Sequence, residues 1–319
     1  MPISSFEELV TTSEARRKGF LAIALRKSRE AIPYVDRARI IQALCRDVSN
    51  PIPLLASAEL HLPLCEAAGL STKALNVLSA ADVDSVISEF VNAVLVPAGD
   101  DFIDEFVYRF LLSKGDALGG KMRNIAGAVA QEKLSRFVIA FLATSGFRHQ
   151  VLLRDATSWT AGDLVNGDLI SSVVGIKWHN RAEEEREISY NRTVPIVGKN
   201  VDICLFRKFS PLPVASGHRR LKVFVEDLSS YLACGELKGG IDPAGADEHW
   251  KTANTSLSRI RSGFRGRRPP VHTFFVGAAI ERSMAQEIFQ QVATAELGFA
   301  ANLTVDDQLS DLCRWMLGL

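Results

Sequence analysis

Tyr231-Leu232-Ala233-Cys234-Gly235-Glu236-Leu237-Lys238-Gly239-Gly240-Ile241-Asp242-Pro243 is the stretch around which the rest of the chain organises itself. A small and apolar run leads into Glu236-Leu237-Lys238, and no other Asp or Glu in the sequence is followed two positions later by Lys. An apolar run closed by two glycines reads as a buried strand. On a strand, residues i and i+2 share a face, so Glu236 and Lys238 are expected side by side, with the Leu237 carbonyl edge-on nearby. Asp202 lies in a second apolar run of β type (residues 201–206). A carboxylate there is costly unless it is paired, hydrogen-bonded or metal-bound. Two carboxylates with the Leu237 carbonyl can hold a hard divalent cation such as Mg2+ beside a Lys-oriented water, which is the equipment for hydrolysing a phosphodiester. The bland alternatives are a commonplace cross-face ion pair at Glu236 and Lys238 and an edge-strand Asp202 turned to water.

The residues that follow add to the cluster. Two glycines at a strand end let a backbone approach a ligand closely. Asp242 before Pro243 is also a good helix start, with Asp as N-cap and Pro at the first helical position. His249 lies off the apolar stripe of that helix, near its beginning, where an imidazole can accept a proton or hold a water; a structural His is the plainer reading.

Working outward, the chain of 319 residues is above the usual single-core size, so a large domain with a second lobe is expected. Its content of 47% hydrophobic and 23% charged residues is that of an ordinary soluble globular protein. No apolar stretch reaches the roughly 20 residues that span a bilayer. The N-terminus shows neither a basic nor an apolar leader region, so no secretory signal is expected. The five cysteines form no C-x-x-C pair and read as reduced core thiols of a cytoplasmic protein. G-x-G-x-x-G, P-loop and G-x-S-x-G signatures are absent, which argues against an ordinary metabolic enzyme.

The formal net charge is zero, yet it is unevenly spread. Residues 1–120 carry 12 Lys and Arg against 16 Asp and Glu, whereas residues 199–268 carry 13 against 7. Positive charge around a hydrolytic cluster suits a polyanionic substrate; a solvated basic face explains it equally well. Arg259, Arg261, Arg265, Arg267 and Arg268 lead off the helix into a Gly- and Pro-containing loop, as candidates for clamping phosphates. Arg123 and Asn124 are further phosphate candidates, and Glu132 is a candidate outer carboxylate whose plainer reading is a solvated side chain.

Residues 1–117 read as a helical lobe, with helical spacing at Phe20, Ile23 and Ala24 and again from Val83 through Val94. Ser79 or Asp82 is the expected start of the second of these helices. Gly115-Asp116-Ala117-Leu118-Gly119-Gly120 reads as the clearest loop and as the boundary to a second domain, 118–319. There a helix over 122–144 is followed by strands over 150–153, 172–178, 201–206 and 231–238. Residues 222–226 read as a strand or a short helix. A helix over 242–262 buries Trp250, Ala253, Leu257 and Ile260; a strand over 271–276 and helices over 282–294 and 305–317 close the chain. The expected class is α/β, a mixed central sheet flanked by helices with the carboxylates on neighbouring strands. That order resembles the core of the PD-(D/E)xK nucleases.

Two segments carry a closer resemblance. Val-Gly-Lys-Asn-Val-Asp-x-Cys-Leu-Phe (197–206) and Glu-Leu-Lys-Gly-Gly-Ile-Asp-Pro-Ala-Gly-Ala-Asp-Glu-His-Trp-Lys-Thr (236–252) resemble the AvaI/BsoBI family of type II restriction endonucleases. The resemblance implies a metal-dependent site at Asp202, Glu236 and Lys238, with His249 beside the scissile phosphate. It implies base contacts from Lys199 and Asp242, which places base reading above the N-cap role for Asp242. It also implies a homodimer that surrounds double-stranded DNA and cuts a short palindrome, alongside a cognate DNA methyltransferase. Lys199 donating to guanine and Asp242 accepting from cytosine point to a G·C-containing site. A repair or structure-directed nuclease of the same fold, and a non-catalytic DNA-binding module, are the alternative readings; the intact Asp202, Glu236 and Lys238 set speaks against the latter.

Overall fold

The structure is a computed structural model that describes residues 3–165, 169–211, 218–266 and 269–319. Its residues form two compact units, one of residues 21–124 and the other of residues 1–20 and 125–319.

The smaller unit is helical. It takes most of α1 (Ser13–Cys45), the short α2 (His61–Ala67) and α3 (Thr72–Leu75), α4 (Ala80–Phe90), and the first part of α5 (Phe102–Thr144). Both residues singled out as helix starts act together at α4. The Ser79 hydroxyl accepts from the Asp82 backbone while Asp82 accepts from the Ser79 backbone, closing a capping box. The core of this unit gathers Ile41, Leu54, Leu64, Ile87, Phe106 and Phe110. Lys114 pairs with Glu66 at 2.5 Å and Lys121 with Glu30 at 2.7 Å.

Those last two pairs bracket the expected Gly115–Gly120 loop, which is instead the interior of α5, a single helix of 43 residues. The expected boundary at residue 117 falls inside it. Each glycine costs up to about 1 kcal/mol in a helix interior. The penalty is met by flanking anchors: the two ion pairs, buried Phe110 and buried Leu118. A Cβ at Gly115, Gly119 or Gly120 would meet nothing within 4 Å. Alanine at any of the three is therefore expected to raise stability by about 0.5–1 kcal/mol in urea denaturation. A loss of stability at all three positions would show that the segment is not helical.

The larger unit is built on an eight-stranded mixed sheet: β1 (His149–Leu153), β2 (Thr160–Ala161), β3 (Val173–His179), β4 (Glu185–Val194), β5 (Lys199–Phe206), β6 (Tyr231–Lys238), β7 (His272–Gly277) and β8 (Phe299–Asn302). The spatial order is β2-β1-β3-β4-β5-β6-β7-β8. Neighbours are antiparallel as far as β6, then β6, β7 and β8 run parallel. Parallel neighbours need crossovers. These are α7 (Ala246–Gly263) between β6 and β7 and α8 (Arg282–Ala293) between β7 and β8; α9 (Asp306–Gly318) ends the chain. The ambiguous segment at 222–226 is helical, as part of α6 (His218–Glu226).

The expected stripe of Trp250, Ala253, Leu257 and Ile260 is buried, packed with Cys204, Cys234, Phe275 and Ile288. All five cysteines are buried free thiols. Among the described residues no helix is long and apolar enough to cross a membrane. The first residues of the chain join the sheet unit through polar bonds: Thr11 Oγ1 donates to the Ala278 carbonyl at 2.9 Å, and Asn302 Nδ2 donates to the Leu9 carbonyl at 2.8 Å.

Candidate active site

Asp202, Glu236 and Lys238 come together where β5 and β6 part. The ladder between these antiparallel strands runs through Phe206↔Tyr231, Leu205↔Ala233 and Cys204↔Cys234 to Ile203↔Gly235. One step further, the Asp202 carboxylate takes over the role of the ladder, and its Oδ2 accepts from the Leu237 backbone N–H at 2.9 Å. Leu237 is thus tied to the cluster through its amide, and its side chain is buried.

Lys238 bridges the two acids. Its Nζ lies 3.1 Å from Asp202 Oδ2 and 2.7 Å from Glu236 Oε2. Glu236 is only 3% exposed, and its second oxygen accepts from the Ser256 hydroxyl at 2.6 Å. Burial, and next the neighbouring Asp202 charge, push the Glu236 carboxyl above the usual carboxylate range. Burial works to lower the Lys238 ammonium, but the Glu236 and Asp202 charges outweigh it and raise the net value. Two carboxylates against one ammonium leave an unbalanced negative charge in a half-buried place.

The residues fit a hard divalent cation. Both carboxylates already aim an oxygen at one cation, with the Lys238 ammonium as the stand-in. Among the described residues no three His, Cys, Asp or Glu side chains converge into a closed metal cage. Two carboxylates are the protein share that Mg2+ ordinarily takes, its other positions being filled by waters and substrate phosphate oxygens.

His249 is exposed on the first turn of α7. Its Nε2 lies 3.0 Å from where a Gly240 Cβ would stand and 3.4 Å from that of Gly245, so the missing side chains make room for the imidazole just beyond Lys238. Asp242 acts as a cap. Its Oδ1 accepts from the Ala244 N–H at 2.9 Å over a short 3-10 turn, Pro243–Gly245, and α7 proper starts at Ala246. Lys199 opens β5, exposed and three residues before Asp202.

Among the described residues, the basic side chains of 199–268 are not one patch. Lys208 pairs with Asp227, Lys222 with Glu226, Lys251 with Asp247 and Arg261 with Glu296. Arg261 also lines a cleft of about 570 Å³ with His272 and Phe299, at the start of β7 and β8. Glu236 and Lys238 sit opposite Phe275 and Gly277, at the other end of β7. Arg261 is therefore not gathered to the carboxylates. Lys199, Arg259 and Arg265 are exposed and make no ion pair among the described residues. Arg267 and Arg268 lie outside the described residues, as do the side chains of Arg123 and Asn124 on α5. Glu132 pairs with Arg136 along α5 at 2.6 Å.

Ser256 escaped the sequence reading. The signal for it is its spacing: seven residues after His249, it lies on the same side of α7 and faces the strand that carries Glu236.

A carboxylate pair that converges on one cation, Glu236 buried and Asp202 half-buried, with a Lys between the acids and a His at the strand end, is the layout of a metal-dependent phosphodiester hydrolase. The comparisons with known proteins agree. The whole chain, residues 1–319, matches the family described as restriction endonuclease BsobI. It is 41% identical over 317 residues to the type II restriction enzyme AvaI of a Nostoc species, covering 99% of this chain and 98% of that one. It is 42% identical over 324 residues to the type II restriction enzyme BsoBI of Geobacillus stearothermophilus, covering 99% and 97%. The chain belongs to this family of restriction endonucleases, and it is a site-specific deoxyribonuclease.

Proposed function

We propose that the chain hydrolyses double-stranded DNA at a short palindromic G·C-containing sequence with Mg2+, leaving 5′-phosphates, on a PD-(D/E)xK core. The observation that carries this reading is the convergence of Asp202 and Glu236 on Lys238 at the strand end. Asp202 and Glu236, with the Leu237 carbonyl, are the residues to hold the metal. A bound Mg2+ would supply Lewis-acid stabilisation of the phosphate and a more acidic water. Lys238, beside both acids, orients the attacking water and offsets charge that develops on the phosphate. His249, beside Gly240 at the strand end, takes up or relays the proton.

Lys199 and Asp242 read bases, and the exposed Arg259 and Arg265 position the backbone, with Arg267, Arg268, Arg123 and Asn124 as further phosphate contacts. Asp242 uses Oδ1 as a cap, so a contact with cytosine N4 falls to its other oxygen. The sheet unit carries the chemistry, the helical unit serves partner contacts or closing over the ligand, and the enzyme acts as a homodimer. The enzyme works in the cytoplasm with a cognate methyltransferase.

Digestion of a long sequenced DNA with the purified protein tests the reading. Discrete Mg2+-dependent fragments, lost with EDTA and with Glu236→Ala, are expected, and end-sequencing reads the target. Cleavage without fixed sites would move the assignment to a structure-directed nuclease. Tight DNA binding without cleavage under any divalent metal would move it to a binding module. Asp242→Ala is expected to lose about 1–3 kcal/mol of discrimination at one base pair. An unchanged preference in a randomised-site binding assay would leave Asp242 with its capping role alone.

A further inference from the structure

The side chain on the far oxygen of Glu236 belongs to α7, a different element from the strand that carries the acids. Ser256 Oγ donates to Glu236 Oε1 at 2.6 Å, while Lys238 Nζ holds Oε2 at 2.7 Å. Each Glu236 oxygen therefore has its own donor, in a carboxylate that water barely reaches. Ser256 sits at the edge of the buried stripe, one residue before Leu257 and three after Ala253. An alanine there would pack as well. What the hydroxyl adds is a short charge-assisted hydrogen bond that fixes the plane of the carboxylate.

We propose that Ser256 is a positioning residue for Glu236, which holds one oxygen of the carboxylate so that the other is presented to the divalent cation in a single orientation. The inference rests on Glu236 being a metal-holding residue as proposed above. It follows from the asymmetry of the two donors. Lys238 is an ammonium, so it competes with a cation for Oε2 and for Asp202. Ser256 is neutral and bonds the oxygen that Lys238 does not touch, so its hold does not depend on what occupies the cluster. Because α7 also carries His249 two turns earlier on the same side, one rigid helix sets both the carboxylate plane and the imidazole.

The test compares Ser256→Ala, Ser256→Thr and Ser256→Val with the wild-type enzyme and with Glu236→Ala. Metal binding is measured by calorimetry, with Ca2+ titrated into the complex of enzyme and a duplex that bears the sequence found by digestion. The Mg2+ concentration at half-maximal rate is measured separately from the rate at saturating Mg2+. Ser256→Ala and Ser256→Val are expected to weaken Ca2+ binding by about tenfold and to shift the Mg2+ dependence by a similar factor. The rate at saturating Mg2+ should largely recover, and Ser256→Thr, which keeps the hydroxyl, should match the wild type. Thr and Val differ by a hydroxyl against a methyl, so their comparison decides the point even where Ser256→Ala proves unstable. Equal metal dependence in the Thr and Val variants would overturn the proposal and leave Ser256 as helix packing. If Glu236→Ala itself binds Ca2+ as the wild type does, the metal-holding role of Glu236 fails first, and the proposal with it.

Discussion

Glu236→Gln is expected to abolish cleavage, by roughly 10³-fold or more, while DNA binding and melting temperature hold. The two halves of this expectation have one cause. Glu236 is buried beside Asp202, and burial together with that neighbouring charge makes its ionised form unfavourable. An acid whose folded pKa lies above its ordinary value subtracts stability once pH rises past that ordinary value, because ionisation then costs more in the fold than in the unfolded chain. The Lys238 pairing and the Ser256 hydroxyl offset only part of this cost. The amide is nearly isosteric and carries no charge, so the strain is relieved while the negative pole that draws the cation is lost. Single-turnover cleavage, DNA binding in Ca2+ and thermal denaturation check the three parts. Cleavage at near wild-type rate would remove Glu236 from the site. A large fall in melting temperature would show that the carboxylate serves the fold.

This expectation could be framed from the sequence because strand chemistry is local. The i, i+2 spacing of Glu236 and Lys238, the apolar run before them and the isolated Asp202 all survive into the structure as one cluster, with the carboxylates on adjacent strands. The stripe of α7 was legible for the same reason. The misreadings occur where distant groups satisfy what local composition leaves unsettled. β4 (Glu185–Val194) looks polar, yet Glu187 is fully buried because Ser210 and Ser189 donate to its carboxylate. Ser189 stands two residues further along the same strand, but Ser210 is 23 residues away, and nothing within β4 marks that partner. β8 has four residues, too few for a pattern, and is defined by its parallel register with β7. The first residues of the chain join the sheet unit through Thr11 and Asn302, a pairing across 291 positions. In α5 the glycines that read as a loop are held helical by Lys114 with Glu66 and Lys121 with Glu30. Ser256 is the same case within the site, since its meaning comes from the strand opposite.

Gly239→Ala is expected to disable the enzyme from outside the cluster, in contrast to the tolerant glycines of α5. A Cβ on Gly239 would stand 2.2 Å from the Ala126 carbonyl oxygen and 2.7 Å from the Ala130 Cβ, both on α5. Atoms do not approach so closely, and the nearer of the two belongs to a helix backbone that cannot rotate away. Either α5 or the end of β6 has to move, and Lys238, the adjacent residue, moves with the latter. Its carbonyl accepts from the Ala278 N–H at 2.8 Å, so the displacement also strains the junction with the residues that follow β7. Overpacking of this kind costs about 1–3 kcal/mol. A shift of about 1 Å in Lys238 is enough to cost roughly 10²-fold in rate. Urea denaturation and Mg2+-dependent cleavage should therefore both report a loss. Adding Ala130→Gly separates the causes, because it removes the 2.7 Å contact and leaves the carbonyl in place. The double variant should stay impaired. Full recovery would mean that the obstacle is a side chain, and that the strand end is not held against the α5 backbone.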